Sequence, residues 1–373
     1  MIEHYNQTKS NAAKWPFLII TLILTVIGLI FIYSSSSIFA LERYGQATYF
    51  VQRQLWGLVV GLIGCVVAFL VPSHLIRKFS PYLYLAVLSL TVLTLFSQFA
   101  LRMNGSSRWL KLGGLGVQPS EFLKLAFIIY VAYLLVQKKH QRRAFWSSFV
   151  PMLLVFGATA LILLKQPDFG LTVVLGMTLF ALLLIARISG RYLWASMAAF
   201  IPIVSLLVWF KPYRLKRILI FLNPWSDPQG AGFQIIQSLI AIGSGGLWGV
   251  GISYSKQKFF YLPMQHTDFI FAIMAEEVGL VGSSVIVVLY ILWLYFGIRL
   301  AWKMSDEFST FVTLGFVILI SMQAVINLFV VTGLFPTKGV GLPFISYGCS
   351  GLVANLTMVG FIMRCAYDIN STN

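Results

Sequence analysis

The chain of 373 residues is too apolar for a water-soluble fold, because 59% of its residues are hydrophobic and only 10% are charged. Repeated apolar runs of about 20 residues predict a helical protein that crosses a membrane several times. The net charge of +16 therefore matters for how the chain is oriented in a bilayer, and we expect no binding of nucleic acid.

Ten apolar segments are predicted to span the membrane, which places both termini on the same side. The first segment is followed by Ser-rich sequence without a convincing small-residue cleavage site, so we interpret it as a retained span and not as a signal peptide. We predict one all-α membrane domain over residues 1–373 with a long outer loop over about 211–267. The predicted spans are 16–34, 55–71, 81–99, 119–137, 148–164, 170–187, 193–210, 269–297, 309–331 and 351–367.

The distribution of Lys and Arg predicts the orientation of these spans. More short-loop cations lie on the side of the two termini than on the opposite side, once the long loop is discounted. The positive-inside rule therefore places both termini in the cytoplasm and the long loop outside. The three cysteines, Cys65, Cys349 and Cys365, have no metal-binding spacing and predict no structural disulfide.

The outer loops are cationic as well as rich in Gly and Pro. Cations on this side oppose the topological preference, and an anionic substrate such as a phosphate would explain them. For the segment Lys211–Arg217, charge alone favours a snorkelling anchor at a helix end over a phosphate clamp. The candidate contacts to an anionic substrate are Arg108, Lys111, Arg214, Arg217, Lys256 and Lys338.

The fourth span begins in the sequence Gln-Pro-Ser-Glu-Phe-Leu-Lys. Pro119 suits the first turn of a helix, and Glu121 there complements the helix dipole. Glu121 and Lys124 are three residues apart, so they share one face and can neutralise each other. A structural ion pair that makes two buried charges tolerable and a role in a substrate site are both open, and the two are compatible.

The segment Phe259–Gly282 carries the most informative acids of the chain. His266 and Asp268 lie at its mouth, and Glu276 and Glu277 follow ~12 Å deeper in an apolar helix. We interpret Asp268 either as an N-cap of the eighth span or as a base or metal ligand at the membrane surface. Carboxylates as deep as Glu276 mark a cavity, an ion path or a paired site, and we favour helix packing with polar partners.

Within the long loop, Phe233–Leu247 is predicted to form a short amphipathic helix that ends in glycines. The segment is too interrupted to span the membrane, so it lies in the interface or re-enters the membrane. Its Gly-Ser-Gly-Gly run is typical of a phosphate cradle and equally of a tight helix exit.

Six motifs follow one another along most of the chain: Arg108-Trp, QPSEFLKLA (118–126), QPDFG (166–170), LNPWSDPQGAGFQIIQSLIAIGSGGLWGVG (222–251), YLPMQHTDFIFAIMAEEVGLVG (261–282) and GLPFISYG (341–348). In sequence and in order these motifs resemble the SEDS family (shape, elongation, division and sporulation), whose members are ten-span peptidoglycan polymerases. They look more like the division and sporulation branch (FtsW-like) than the elongation branch (RodA-like).

The resemblance implies a substrate, a reaction and partners. The substrate would be lipid II, a disaccharide-pentapeptide on an undecaprenyl pyrophosphate anchor, which the enzyme polymerises outside the cytoplasmic (inner) membrane with inversion and release of the pyrophosphate. The family's essential aspartate falls on Asp268, and its fourth-span Glu and Lys fall on Glu121 and Lys124. His266 and Ser346 are further candidate substrate contacts. The implied partners are a class B penicillin-binding protein (a transpeptidase) and other division or elongation proteins.

The residues themselves are compatible with this chemistry. Inversion needs one base, for which we expect Asp268. The loop cations, or a divalent cation such as Mg²⁺ or Mn²⁺ bound to Asp268, would neutralise the departing pyrophosphate. A lipid II flippase and a non-catalytic scaffold of the cell-wall synthesis complex are alternatives from other classes. The chain departs from the family pattern at Met264-Gln265, which could weaken metal binding, and at Gly348-Cys349, which puts a thiol near the outer surface.

Overall fold

The computed structural model describes residues 2–96, 100–103, 106–112, 115–141, 144–195, 198, 219–230, 232–258, 263, 265–304, 306–337 and 339–368. Within these ranges the chain is mostly helical. The longer helices are α1 (Ile2–Tyr44), α2 (Tyr49–Leu70), α3 (Ser73–Leu93), α4 (Pro119–Gln137), α5 (Val150–Lys165), α6 (Phe169–Ile185), α7 (Phe233–Gly245), α8 (Ile270–Ala301), α9 (Glu307–Val331) and α10 (Cys349–Asp368).

The prediction of a polytopic helical membrane protein is confirmed. In the part of the chain that the structure describes, 8 helices are long and apolar enough to cross a membrane, and α6 and α7 are shorter apolar helices. The helix α6, with 17 residues, corresponds to the predicted span 170–187. The predicted span 193–210 lies largely outside the described residues.

A small antiparallel sheet between α3 and α4 was not predicted from the sequence. Its strands are β1 (Ala100–Met103), β2 (Ser106–Leu112) and β3 (Leu115–Val117), in the order β1-β2-β3. The predicted span 81–99 was placed too late in the chain, because Pro72 caps the start of α3 and the helix ends at Leu93. The fold is therefore helical with a three-stranded sheet at one end, and this sheet carries Arg108.

The helices α4 and α9 form the centre of the bundle. Their most apolar windows are 72% buried, against 22% for α2 and α3. α9 packs against α4, α6 and α8, while α10 packs against α2 and α4. The helices α2 and α3 leave many large apolar side chains exposed, as suits helices that are surrounded by lipid tails.

The helix α7 packs against α8 and the end of α9. The Ser238 hydroxyl donates to the carbonyl of Val331 at the end of α9 (2.7 Å). The other end of α7 lies against α8, since a Cβ at Gly245 would be 2.1 Å from the carbonyl oxygen of Ala275. Its glycine-rich end is therefore a helix exit packed against protein, and its amides do not form a phosphate cradle.

The helix α8 is interrupted at Gly279, and the residues that follow α7 fill the interruption. Gly279 has φ 67° and ψ −168°, and a Cβ there would be 2.3 Å from the amide nitrogen of Gly249. Irregular backbone is tolerated at membrane depth only where protein satisfies its polar groups. Four backbone bonds do so here: Val250 N to Glu276 O (3.0 Å), Gly251 N to Glu277 O (3.0 Å), Leu280 N to Gly246 O (2.9 Å) and Val281 N to Leu247 O (3.1 Å).

Candidate active site

Asp268 lies about one membrane thickness away from the opposite end of the bundle. The Asn327 side-chain amide donates to the carbonyls of Asp268 (2.7 Å) and Val340 (2.8 Å). Asn327 lies twenty residues along α9 from Glu307, which is ~30 Å of helix and about the thickness of a hydrocarbon core. Glu307 pairs with Lys139 at the other end (2.8 Å). Asp268 therefore lies at a membrane–water boundary.

Asp268 and Arg108 face each other across Gly339. A Cβ at Gly339 would lie 3.4 Å from Asp268 Oδ2 and 4.0 Å from Arg108 Nη1. The following helix begins at Ile270, and its N-cap, Phe269, makes no side-chain capping bond. The structure thus does not use Asp268 as a cap. We call the space bounded by Asp268, Arg108 and Gly339 the Gly339 gap.

The turn between α5 and α6 holds the Arg108 side chain. Its Nε donates to the carbonyl of Gln166 (3.1 Å) and its Nη2 to the carbonyl of Pro167 (2.6 Å). Its Nη1 lies 3.7 Å from Oδ2 of Asp168. Asp168 also caps α6, because its Oδ1 accepts from the amide of Leu171 (3.2 Å). The guanidinium is thereby fixed between two carboxylates, Asp168 and Asp268.

Burial and neighbouring charge set the proton affinity of these acids. Burial raises the pKa of Asp268 from 3.8 to about 6, the Arg108 guanidinium opposes the rise and the Asp168 carboxylate adds to it. Burial also raises the pKa of Asp168, which Arg108 and the Leu171 amide oppose. A carboxyl group with a pKa near 6 is ionised at neutral pH yet basic enough to take a proton from a reacting group.

The predicted pair of Glu121 and Lys124 is present and belongs to the core. The Lys124 ammonium lies 2.7 Å from Glu121 Oε2 and also donates to Asn355 Oδ1 (3.1 Å) and Gln323 Oε1 (3.3 Å). These three acceptors use all three ammonium donors. Lys124 is 1% exposed and Glu121 is 19% exposed. The structural interpretation therefore holds for Lys124, while Glu121 keeps access to its surroundings.

His266 and Ser346 both pack around the segment that carries Asp268. The His266 ring packs against Phe39, Phe50 and Tyr347, and burial lowers its pKa from 6.5 to about 4. It is therefore neutral at pH 7 and adds no positive charge for a phosphate. The Ser346 hydroxyl donates to the Thr267 carbonyl (2.6 Å) and accepts from the Leu342 amide (2.7 Å).

The comparison with known sequences agrees with this arrangement. Residues 14–371 match the profile of the FtsW/RodA/SpoVE family, which is described as cell cycle proteins. The chain belongs to this family. The earlier resemblance to SEDS proteins is thereby confirmed over nearly the whole chain.

Relatives in this family carry division and sporulation names. A protein of Geobacter sp. (strain M18) named "Probable peptidoglycan glycosyltransferase FtsW" is 39% identical over 93% of this chain and 95% of its own length. "Stage V sporulation protein E" of Bacillus subtilis (strain 168) is 40% identical over 96% of this chain and 98% of its own length. These names agree with the predicted FtsW-like branch.

Solved structures of family members have the same fold. A chain from a structure described as "Structural coordination of polymerization and crosslinking by a peptidoglycan synthase complex" superposes with a TM-score of 0.79 at 30% identity, covering 95% of this chain and 98% of that chain. The rod shape determining protein RodA of Thermus thermophilus superposes with a TM-score of 0.70 at 25% identity, covering 95% and 96%.

Some residues that were predicted to contact the substrate lie away from the Gly339 gap, and others lie outside the described residues. The backbone amide of Lys256 donates to Oε1 of Glu276 (2.9 Å). Glu276 lies eight residues after Asp268 in the sequence, inside α8. No contact within the described residues links its exposed side chain to the Gly339 gap. Lys111 lies in β2. The side chain of Lys111 and the whole of Arg214, Arg217 and Lys338 lie outside the described residues, as does Met264.

Glu276 and Glu277 have polar packing partners, as expected. Both oxygens of Glu277 lie within 2.7 Å of the Ser34 hydroxyl, and one lies 3.6 Å from the Lys258 ammonium. Glu276 accepts from the hydroxyl of Ser255 and from the amide of Lys256. We call Ser34, Ser255, Lys258, Glu276 and Glu277 the inner acid cluster. This cluster holds residues 255–258, which precede His266 in the chain, against α8.

Asp168 was not predicted from the sequence as a site residue, although it lies in the motif QPDFG. The signal that could have identified it is an acid next to Pro at the start of an apolar helix, in a loop predicted to lie on the same side as Arg108. The same string also anchors α3, because the Gln166 side-chain amide donates to the Thr91 carbonyl (3.0 Å). An acid that shares an arginine with Asp268 belongs to the candidate site.

Proposed function

We propose that this chain is a peptidoglycan glycosyltransferase that polymerises lipid II into glycan strands at the outer face of the cytoplasmic membrane during cell division. The observation that carries the proposal is the Gly339 gap, where a carboxylate with a pKa near 6 faces a fixed guanidinium at a membrane boundary. The names of the FtsW relatives support the reaction class. Both termini lie in the cytoplasm in this proposal.

In the proposed reaction Asp268 is the general base. Its carboxylate takes the proton from the attacking sugar hydroxyl as that oxygen bonds to the anomeric carbon of the donor. The bond from this carbon to the phosphate oxygen breaks, and its electron pair leaves with undecaprenyl pyrophosphate. Attack from the face opposite the leaving group inverts the anomeric centre, so one base suffices.

Arg108 stabilises the leaving pyrophosphate. A guanidinium is always charged and suits phosphate oxygens geometrically. The two carbonyls that hold Nε and Nη2 fix its direction before substrate binds, and a preorganised charge acts on the transition state without reorganisation. The Nη1 atom of Arg108 faces the Gly339 gap.

A divalent cation at Asp268 is also part of the proposal. Mg²⁺ is commonly held by one or two carboxylates together with substrate phosphates. Asp268 is the carboxylate that fits this role, because Arg108 and the Leu171 amide engage the two oxygens of Asp168. Among the described residues no group of three or more His, Cys, Asp and Glu converges, so substrate phosphates would complete the ligand set. When bound, such an ion supplies positive charge to the departing pyrophosphate.

We propose a class B penicillin-binding protein as the partner, along with other division or elongation proteins. A family member with the same fold comes from a structure described as a peptidoglycan synthase complex that coordinates polymerization and crosslinking. Glycan strands leaving the Gly339 gap on the outer side would be within reach of a transpeptidase on that side.

The deciding experiment is a lipid II polymerisation assay with the purified full chain and its transpeptidase. We expect Asp268→Asn to reduce the initial rate by about 10²–10⁴-fold, because it removes a general base. The matched control is Asp306→Asn, which changes an acid that caps α9 at the opposite end of the bundle. The same assay in EDTA, and after restoring Mg²⁺ or Mn²⁺, tests the ion.

The outcomes separate the proposal from its alternatives. Full-length glycan from Asp268→Asn would show that Asp268 is not the base. Transfer of labelled lipid II across a proteoliposome membrane without glycan product would favour the flippase. An unchanged phenotype of Asp268→Asn in cells, together with no polymerisation by the wild type, would favour the scaffold.

A further inference from the structure

Asp168 has two carboxylate oxygens with different tasks. Oδ1 accepts from the Leu171 amide and caps α6, whereas Oδ2 faces Arg108 Nη1. The Asp168 side chain is 6% exposed and that of Arg108 is 20% exposed. Buried acids are rare unless they are paired, so we expect the Asp168 carboxylate to have a role besides capping α6. Asn and Asp cap helices about equally well, so capping alone does not require a charge here.

The three residues Gln166, Pro167 and Asp168 together surround one guanidinium. The two carbonyls take Nε and Nη2 and set the plane of the group. They leave Nη1, which lies between Asp168 Oδ2 and the Gly339 position. The two carbonyl groups orient the guanidinium but carry no net charge. Among the described residues, Asp168 supplies the carboxylate that pairs with Nη1, at 3.7 Å.

Without Asp168, Arg108 would have Asp268 as its nearest described counter-ion. The two carbonyl bonds would remain, but Nη1 would lose its partner and shift towards Asp268 across Gly339. A pair between Nη1 and Asp268 would occupy the position where a phosphate oxygen must meet Nη1. A misplacement of about 1 Å can reduce a rate by about 10²-fold.

We propose that Asp168 is a positioning residue that holds Arg108 away from Asp268, so that the guanidinium meets the leaving pyrophosphate; this rests on the function proposed above. Asp168 acts through Arg108 and does not touch the reacting atoms. Its role is therefore conditional on the presence of Arg108, and that condition can be measured.

The test is a double-mutant cycle with Asp168→Asn and Arg108→Ala in the full chain with its transpeptidase, using lipid II as substrate. We expect Asp168→Asn to lower kcat by about 10²-fold with KM changed less than about twofold, because the interaction matters as the leaving group departs. In the Arg108→Ala background, Asp168→Asn should change kcat by less than about twofold.

The matched control is again Asp306→Asn, which replaces an acid at an equivalent N-cap position of α9 with the same side chain. Both Asn variants should keep the thermal unfolding temperature of the wild type, since Asn also caps. Wild-type kcat in Asp168→Asn, or losses that multiply in the double variant, would overturn the proposal. So would a loss of thermal stability with unchanged kcat per folded molecule.

These outcomes are distinct from failure of the proposed function. If the wild type does not polymerise lipid II, the proposed function is wrong. If the wild type polymerises it, Asp268→Asn does not, and Asp168→Asn is fully active, only the inference about Asp168 is wrong.

Discussion

Two groups of acids lie close to the part of α8 that precedes Gly279, and they differ in how many protein partners they have. In the inner acid cluster, Glu276 and Glu277 receive hydroxyl, amide and ammonium donors on their carboxylate oxygens. At the Gly339 gap, Asp268 faces a residue without a side chain and a guanidinium that is already held elsewhere.

The difference shows how the same residue type serves structure in one place and chemistry in the other. A buried carboxylate with a full set of donors has no site left for a substrate, and its removal leaves unpaired partners behind. A carboxylate with an open side and a raised pKa can exchange a proton. Partner saturation therefore distinguishes the two groups better than depth or charge does.

The largest effect on stability is expected from the inner acid cluster. Glu277→Gln leaves the Lys258 ammonium, which is 3% exposed, without its counter-charge. Breaking a buried ion pair on one side lowers the free energy of unfolding by about 3–5 kcal/mol. Thermal unfolding of the detergent-solubilised protein measures the loss, and kcat per folded molecule should stay near that of the wild type.

The matched control for this prediction is the double variant Glu277→Gln with Lys258→Met. It removes both charges and should recover most of the lost stability, because no uncompensated charge remains. If Glu277→Gln instead abolished polymerisation at normal stability, the inner acid cluster would belong to the chemistry and the comparison would fail.

An intermediate effect is expected for Lys124. Lys124→Met leaves the Glu121 carboxylate and two amide oxygens without their common donor, and we expect a loss of about 1–3 kcal/mol in the free energy of unfolding. The double variant Glu121→Gln with Lys124→Met should express better than the single one. Equal loss of activity at normal thermal stability in both variants would place this pair in the substrate site.

The smallest effect is the pH dependence of the Gly339 gap. With a pKa of about 6 for Asp268, the initial rate should fall about tenfold for each pH unit below 6 and level off above it. The folded-state pKa is raised, so ionisation of Asp268 weakens the fold as pH rises from about 4 through 6. Asp268→Asn should therefore be more stable than the wild type at pH 8 and equally stable at pH 4. A rate that stays constant from pH 5 to pH 8 would contradict the assignment.

The sequence predicted the helical membrane fold and the boundary position of Asp268, because long apolar runs and acids at their ends are local signals. It did not predict the sheet, whose strands are short and have irregular apolar spacing. The break at Gly279 was also missed. Its cause is a pairing with Gly246–Gly251, some thirty residues earlier in the chain, which no local pattern records.

Site residues show the same limit. Arg108 was proposed for its charge, which is visible in the sequence, whereas Asp168 matters through its position beside Arg108, which is not. Ser346 was proposed as a substrate contact, yet its hydroxyl ties Thr267 to Leu342. Lys256 was also proposed for its charge, but its backbone amide donates to the Glu276 carboxylate. Charge in the sequence identifies candidate site residues, whereas the tertiary contacts decide which of them lie at the site.

Asp268 and Arg108 are held by different parts of the chain. Backbone bonds join α8 on both sides of Gly279 to the stretch after α7, and the Asp268 carbonyl accepts from Asn327 of α9. Arg108 lies in β2 and donates to the carbonyls of the α5–α6 turn. A displacement of α8 relative to that turn would therefore change the distance between Asp268 and Arg108.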